Sequence, residues 1–313
     1  MRAVGLMIHG GPEVLQVVEV DEVQAGPGQV RIRNYAAAVN PTDIVARDGT
    51  RARLQLQSPP PWVPGMDAAG IVDQVGEGVS TGVKIGDAVM AMVVPNASHG
   101  GYREQLVLAA EAVVPAPVGV SHIEACTLPM NALTAQLSLD LLSLKAGQVI
   151  AVTGGPGAYG GYVIELAKAL DLLVIADAAA SDKALLESLG ADIVIKRGEG
   201  FAERVREHFA DGVHGLADGA LLNEKAIPAV RDGGSFTAIR GFKGEPQRDI
   251  QFTASWVTKY DGRYDILDKL RQHAQSGKLT LRVAEAVSPD RAGEAHQRLA
   301  AGGTRGRMVI DFA

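Results

Sequence analysis

The chain has 313 residues, a net charge of −6, a single cysteine and only 21% charged residues. Cys126 alone excludes a disulfide scaffold and a cysteine-rich zinc module, and 47% hydrophobic residues describe a globular rather than a disordered chain. Acidic and basic residues are interspersed, which argues against a nucleic-acid coat or a polybasic membrane anchor. No apolar run approaches the ~18 residues of a membrane-spanning helix, and MRAVGLMIHGG lacks the apolar core and cleavage site of a secretory signal. The expectation is a soluble, cytoplasmic protein of roughly two domains.

The first third reads as β structure. EVLQVVEVDEV (13–23) and QVRIRNYAAAV (29–39) hold alternating segments separated by a GPG turn, and AAGIVDQVG (68–76), DAVMAMVVP (87–95) and YREQLVLAAEAVVPAP (102–117) follow. Short strands punctuated by glycine predict a compact, barrel-like β domain. The texture changes near residue 120. Ser121 and Glu124 have capping-box spacing and predict a helix start, and Pro129 should interrupt or restart that helix. QVIAVTG (148–154) is a short apolar strand, followed by glycines and the helical pattern YGGYVIELAKAL (159–170).

Strand and helix then alternate. LLVIAD (172–177) is a strand. SDKALLESLG (181–190) is a helix with Ser181 as its expected N-cap and Gly190 past its end. DIVI (192–195), a helix over 199–209, GLAD (215–218), a helix near 223–231 and GSFTAIRG (234–241) continue the series. Such repetition predicts a parallel sheet covered on both faces. A helix over 261–277, a strand over 279–287, a helix over 288–303 with Ser288 at its N-cap, and a strand over 307–312 complete the chain.

Gly155-Pro156-Gly157-Ala158-Tyr159-Gly160 fits G-x-G-x-x-G between an apolar strand and a helix. Gly155 would permit the tight turn, Gly157 the close approach of a pyrophosphate, and Gly160 the packing of helix on strand. The helix N-terminus adds free N–H groups and a positive dipole end. Asp177 closes the second strand, where a carboxylate can bind a ribose 2′-hydroxyl and favour NADH. Lys183 and the pair Lys196-Arg197 could instead hold a 2′-phosphate and favour NADPH. Each of these residues could equally be a turn cap or a solvated charge.

Nearly the whole chain resembles the medium-chain dehydrogenase/reductase superfamily, and within it the zinc-free quinone oxidoreductase group. The likeness rests on VNPTD (39–43) with RDG (47–49), PGMDAAGIVDQVGEGV (64–79) with GD (86–87), GGYREQLV (100–107), GAYGG (157–161), SGKLTLRV (276–283), EAHQRL (294–299) and TRGRMVIDF (304–312). It implies an α/β fold: a Rossmann doubly wound parallel sheet over 121–260, and a GroES-like β-barrel-type catalytic domain split between 1–120 and 261–313. It also implies NADPH-dependent reduction of a quinone, carbonyl or conjugated alkene by a homodimer. An enoyl-thioester reductase, or a nucleotide-binding sensor or scaffold with little catalysis, are alternative readings.

Zinc-dependent relatives would place ligands near Asn40, Met66 and Asn131, but amide and thioether groups are poor Zn²⁺ ligands. Several relatives have a tyrosine where this chain has Val45, so an aromatic donor is missing. Asn40 is then the best side-chain donor for a developing negative charge, with Asp43 and Arg47 orienting it. The same residues could simply tie down a loop before a helix. Thr134 resembles the family threonine near the nicotinamide carboxamide. Pro156 replaces a small residue and removes an N–H from the glycine loop. Arg197, where relatives often have tyrosine, would strengthen a 2′-phosphate site and tilts the expectation to NADPH. Ser255 and Tyr260 lie in SWVTKY, but their spacing is not evidence for a short-chain-dehydrogenase triad.

Overall fold

The computed structural model describes residues 1–50 and 58–313. These divide into two compact units: Met1–Met130 with Tyr260–Gln275 and Leu281–Ala313, and Asn131–Lys259 with Ser276–Thr280.

The first unit opens with β1 (Arg2–Gly5), β2 (Gln16–Glu19) and β3 (Gln29–Ala38), followed by α1 (Pro41–Arg47), β4 (Asp67–Val75), β5 (Ala88–Met92), β6 (Gln105–Ala109), β7 (Val113–Pro115) and α2 (His122–Ala125). β3 organises the sheet. Along β4 it pairs antiparallel on one edge; its other edge is shared by β6 over Gln29–Arg33 and by a C-terminal strand over Ala36–Ala38. Its first residues alternate, burying Val30, Ile32 and Asn34 while Arg33 faces solvent, and both faces become buried at Ala36–Ala38. A one-sided strand thus becomes a two-sided one at the point where its partner changes. Ser121 caps α2 as expected: its Oγ accepts from Glu124 N–H at 3.2 Å and Glu124 Oε2 accepts from Ser121 N–H at 2.9 Å.

The second unit begins in α3 (Pro129–Leu142), which starts at the proline, and continues through β8 (Val149–Thr153), α4 (Ala158–Ala169), β9 (Leu173–Ala178), α5 (Lys183–Ser188), β10 (Ile193–Lys196), α6 (Phe201–His208), β11 (Val213–Asp218), β12 (Val230–Ala238) and β13 (Gln251–Ala254). The six strands are parallel and lie in the order β10-β9-β8-β11-β12-β13. This is the doubly wound Rossmann arrangement, whose order reverses at β8. All five residues of β8 are buried, which is why its sequence is a continuous apolar run. Val149, Ala151, Ile175, Leu216 and Phe236 pack with Phe201 and Val205 of α6 and with Ile227 into one core cluster.

Local details differ from the sequence reading. Asp182, not Ser181, caps α5, because a 3₁₀ turn over Ala180–Asp182 precedes it. The segment expected as a helix near 223–231 is a 3₁₀ turn, Asn223–Ala229, with Pro228 inside it. β13 has no counterpart in the sequence reading. The first unit then resumes with α7 (Tyr264–Gln275), β14 (Val283–Val287), α8 (Ala292–Ala301) and β15 (Arg307–Asp311). Ser288 caps a 3₁₀ turn, Pro289–Arg291, that leads into α8 rather than capping the α-helix itself. No helix among the described residues is long and apolar enough to cross a membrane.

Candidate functional site

In the second unit the carboxyl ends of β8, β9 and β11 surround the glycine loop. The residue with left-handed backbone is Gly154, at φ +69°, rather than Gly155. Gly157 N–H closes a turn on Gly154 O at 3.0 Å, with Pro156 buried within that turn. The proline therefore stiffens the loop. Gly157 is the N-cap of α4 and makes no side-chain cap bond, so the first helical turn opens with backbone donors. Gly160 must be glycine: a Cβ there would lie within 2.3 Å of Gly154 O. The cradle and its donors fit the pyrophosphate of a dinucleotide.

Asp177 lies at the end of β9, 5% exposed. Its Oδ1 accepts from Gly154 N–H at 2.7 Å, and burial raises its carboxyl above the ordinary range, against the opposing pull of the loop amides and Arg197. The carboxylate thus holds the glycine loop. Arg197 follows β10 and is exposed, its backbone N–H bonded to Ala178 O at 2.9 Å. Lys183 is exposed, 3.7 Å from Glu187. Asp218 closes β11 in the same way that Asp177 closes β9: it accepts from Thr153 Oγ1 at 2.5 Å and from Asn223 N–H at 2.7 Å.

Thr134 lies in α3 and is buried. Its carbonyl accepts from Ser138 Oγ at 2.9 Å. Tyr159, in the first turn of α4, is buried, and its hydroxyl is 2.8 Å from Ser138 Oγ. Ala158 beside it is half-buried.

In the first unit Asn40, Asp43 and Arg47 come together on α1, all buried. Asn40 has extended backbone and Pro41 follows at N1, which starts the helix. Asp43 at N3 reaches back to Asn40 N–H at 2.8 Å. Its carboxylate also accepts from Tyr102 Oη at 2.9 Å and from Gly65 N–H at 3.1 Å. Gly65 has φ +108°, and a Cβ there would meet the Tyr102 ring at 2.5 Å, so only glycine brings that N–H to Asp43. Asn40 Nδ2 donates to Asp67 Oδ2 at 2.7 Å, while Met130 N–H donates to Asp67 Oδ1 at 2.7 Å. Burial pushes Asp43 up to about 6 and Asp67 up to about 7, against these hydrogen bonds and the charge of Arg307.

Arg47 extends the cluster. Its Nη1 is 3.4 Å from His296 Nδ1, and His296 Nε2 is 3.1 Å from Tyr102 Oη. The proton positions follow from stoichiometry. An arginine can only donate, so Nδ1 accepts and Nε2 carries the hydrogen; Tyr102, donating to Asp43, accepts it. Burial and the Arg47 charge push His296 down to about 3, which keeps the ring neutral. Val45 on the same helix is half-buried. None of Tyr102, Asp67, His296, Arg307, Ser138 and Thr237 is assigned a site role from the sequence. Asp67, His296 and Arg307 lie in segments that carry the resemblance, but their partners within the site are set only by the fold, and Ser138 and Thr237 carry no motif.

Asn40, Met66 and Asn131, which the resemblance compares with zinc ligands, are each buried. Amide and thioether groups do not provide the thiolate and imidazole set that Zn²⁺ takes. Among the described residues no group of three or more His, Cys, Asp or Glu side chains could hold a metal ion.

Known proteins match this architecture. The Alcohol dehydrogenase GroES-like domain family matches residues 26–118, and the Zinc-binding dehydrogenase family matches residues 189–310. The 2-methylene-furan-3-one reductase of Solanum lycopersicum is 31% identical over 99% of this chain and 79% of its own length. The chain belongs to the medium-chain dehydrogenase/reductase superfamily, in its quinone oxidoreductase group. A chloroplastic NADPH-dependent alkenal/one oxidoreductase of Arabidopsis thaliana is 30% identical over 96% of this chain and 77% of its own. A mycobacterial quinone oxidoreductase structure superposes with a TM-score of 0.83 at 27% identity, covering 99% of both chains. As a member of the superfamily the protein is an NAD(P)H-dependent oxidoreductase.

Proposed function

We propose that this protein reduces quinones or α,β-unsaturated carbonyls with NADPH and without zinc. The observation that carries the reading is the glycine loop: a cradle closed by Gly154 and Gly160 at the N-terminus of α4, whose N-cap is Gly157. The names of the plant relatives, one an NADPH-dependent alkenal/one oxidoreductase, support the cofactor and the substrate class. Zinc independence is supported by the amide and thioether side chains at Asn40, Met66 and Asn131.

The bound cofactor supplies the hydride. The chain's own part is binding and orientation. Gly157, Ala158, Tyr159 and Gly160 would take the pyrophosphate, Asp177 holds their loop, and Arg197 would face a 2′-phosphate. Lys183, tied to Glu187, gives the weaker second cation of that site. Thr134 would meet the carboxamide of the nicotinamide. Asn40, Asp43 and Arg47 act through their hydrogen bonds, fixing α1 and its half-buried Val45, rather than by touching the acceptor. A cytoplasmic homodimer is part of the same reading.

Stopped-flow oxidation of NADPH against a panel of quinones, enones and enoyl-thioesters, with and without a zinc chelator, tests it. Turnover of quinones or enones unchanged by the chelator is expected. Tight NADPH binding with no turnover of any acceptor would overturn the reading in favour of a nucleotide sensor, and turnover restricted to enoyl-thioesters would reassign the substrate.

A further inference from the structure

The second unit contains a chain of buried hydroxyls that the glycine motif does not explain. Thr237 Oγ1 is 2.9 Å from Ser255 Oγ, Ser255 Oγ is 2.7 Å from Ser138 Oγ, and Ser138 Oγ is 2.8 Å from Tyr159 Oη. Thr237 and Ser138 are fully buried, and Ser255 and Tyr159 are less than a tenth exposed. They come from β12, the residue after β13, α3 and the first turn of α4, so the chain joins four separate elements.

The proton order is determined. Ser138 has one hydroxyl proton and donates it to Thr134 O at 2.9 Å. Its oxygen must therefore accept from both Tyr159 and Ser255, and Ser255 in turn accepts from Thr237. Every hydroxyl donates once and none is left over, the arrangement in which a buried network reinforces itself. The Tyr159 ring is held from its other side by Gly219, where a Cβ would lie 2.7 Å from the ring.

Tyr159 is therefore gripped at its hydroxyl by α3 and at its ring by the loop after β11. Its backbone N–H belongs to the helix turn that opens on the glycine cradle. Ser138, the hub of the chain, bonds directly to the carbonyl of Thr134. We propose that Ser138, Ser255 and Thr237 are positioning residues for the dinucleotide: through Tyr159 they hold the phosphate-facing turn of α4 in register with Thr134. The inference rests on the nicotinamide-nucleotide reading of the glycine loop.

The test measures Kd for NADPH and NADH, together with the urea midpoint of the ligand-free protein, for Tyr159→Phe, Ser138→Ala, Ser255→Ala and Ser255→Thr. Folding of each variant is checked by circular dichroism, and the set spans three positions. Tyr159→Phe, which removes one neutral hydrogen bond, is expected to weaken both dinucleotides alike by about three- to tenfold, and Ser138→Ala and Ser255→Ala, which remove three and two, by at least as much. The pair Tyr159→Phe with Ser138→Ala should be far less than additive, and Ser255→Thr should retain wild-type affinity. Deletions that lower the urea midpoint but leave both Kd values unchanged would overturn the inference and reduce the chain to a core contact. Failure of the wild-type protein to bind either dinucleotide would instead overturn the reading of the loop on which it rests.

Discussion

Tyr102 meets His296 edge-on, with ring centroids 5.8 Å apart at 78°, and its hydroxyl stands between His296 Nε2 and the Asp43 carboxylate. One oxygen thus accepts from a neutral imidazole and donates to a buried acid. Tyr102→Phe removes both bonds and leaves a buried N–H without its acceptor, at a cost of roughly 1–3 kcal/mol. Urea denaturation at neutral pH checks it; an unchanged midpoint would show that the hydroxyl contributes nothing net.

The same cluster predicts two opposite pH slopes. Asp67 titrates at about 7 in the folded protein against an ordinary 3.8, so the folded state holds a proton that the unfolded chain releases. That stabilisation is present below the ordinary value and is lost as pH rises through the folded one. His296 titrates at about 3 against 6.5, so its stabilisation is present above 6.5 and is lost as pH falls. Asp67→Asn should therefore shift the slope of stability against pH upward between about pH 4 and pH 7, and His296→Gln should shift it downward over the same window. Urea midpoints across that range read both signs; parallel profiles for the two variants would contradict the assignment.

Gly160→Ala would set a methyl against Gly154 O, where the space for a Cβ is 2.3 Å. Backbone must move, and forcing extra volume into a packed site costs about 1–3 kcal/mol. Because the displaced group is the phosphate cradle, NADPH affinity should fall with Tm, and calorimetric titration alongside thermal denaturation would show both. A stable variant with full NADPH affinity would refute the close packing.

Arg197→Ala should weaken NADPH by about tenfold, the worth of one charge-assisted hydrogen bond, and NADH little. Side-by-side fluorescence titrations read the ratio. Equal losses for the two cofactors would remove Arg197 from a 2′-phosphate site.

Much of the fold could be read along the chain. The capping box of Ser121 and Glu124, the helix restart at Pro129, and the strand-glycine-helix order around Gly155 to Gly160 depend on residues within one or two turns of each other. β13 could not be read this way. Its four residues form a strand because β12 provides a parallel edge, Ser235 to Ala238, on which they pair. The expected N-cap at Ser181 failed for a similar reason: the chain tightens into a 3₁₀ turn before α5, and Asp182 takes the boundary.

What the sequence by itself determined is local. Asn40 and Asp43 are three residues apart, so a capping geometry follows from spacing alone. The glycines at 155, 157 and 160 define a turn between an apolar strand and a helix. Tertiary structure decided which partners those residues keep. Tyr102 lies 59 positions from Asp43 and His296 lies 194 from Tyr102, while Ser138 and Ser255 are separated by 117. No periodicity connects residues so far apart. Their hydrogen bonds exist because strand register and helix packing bring polar side chains into interiors where each must find a partner.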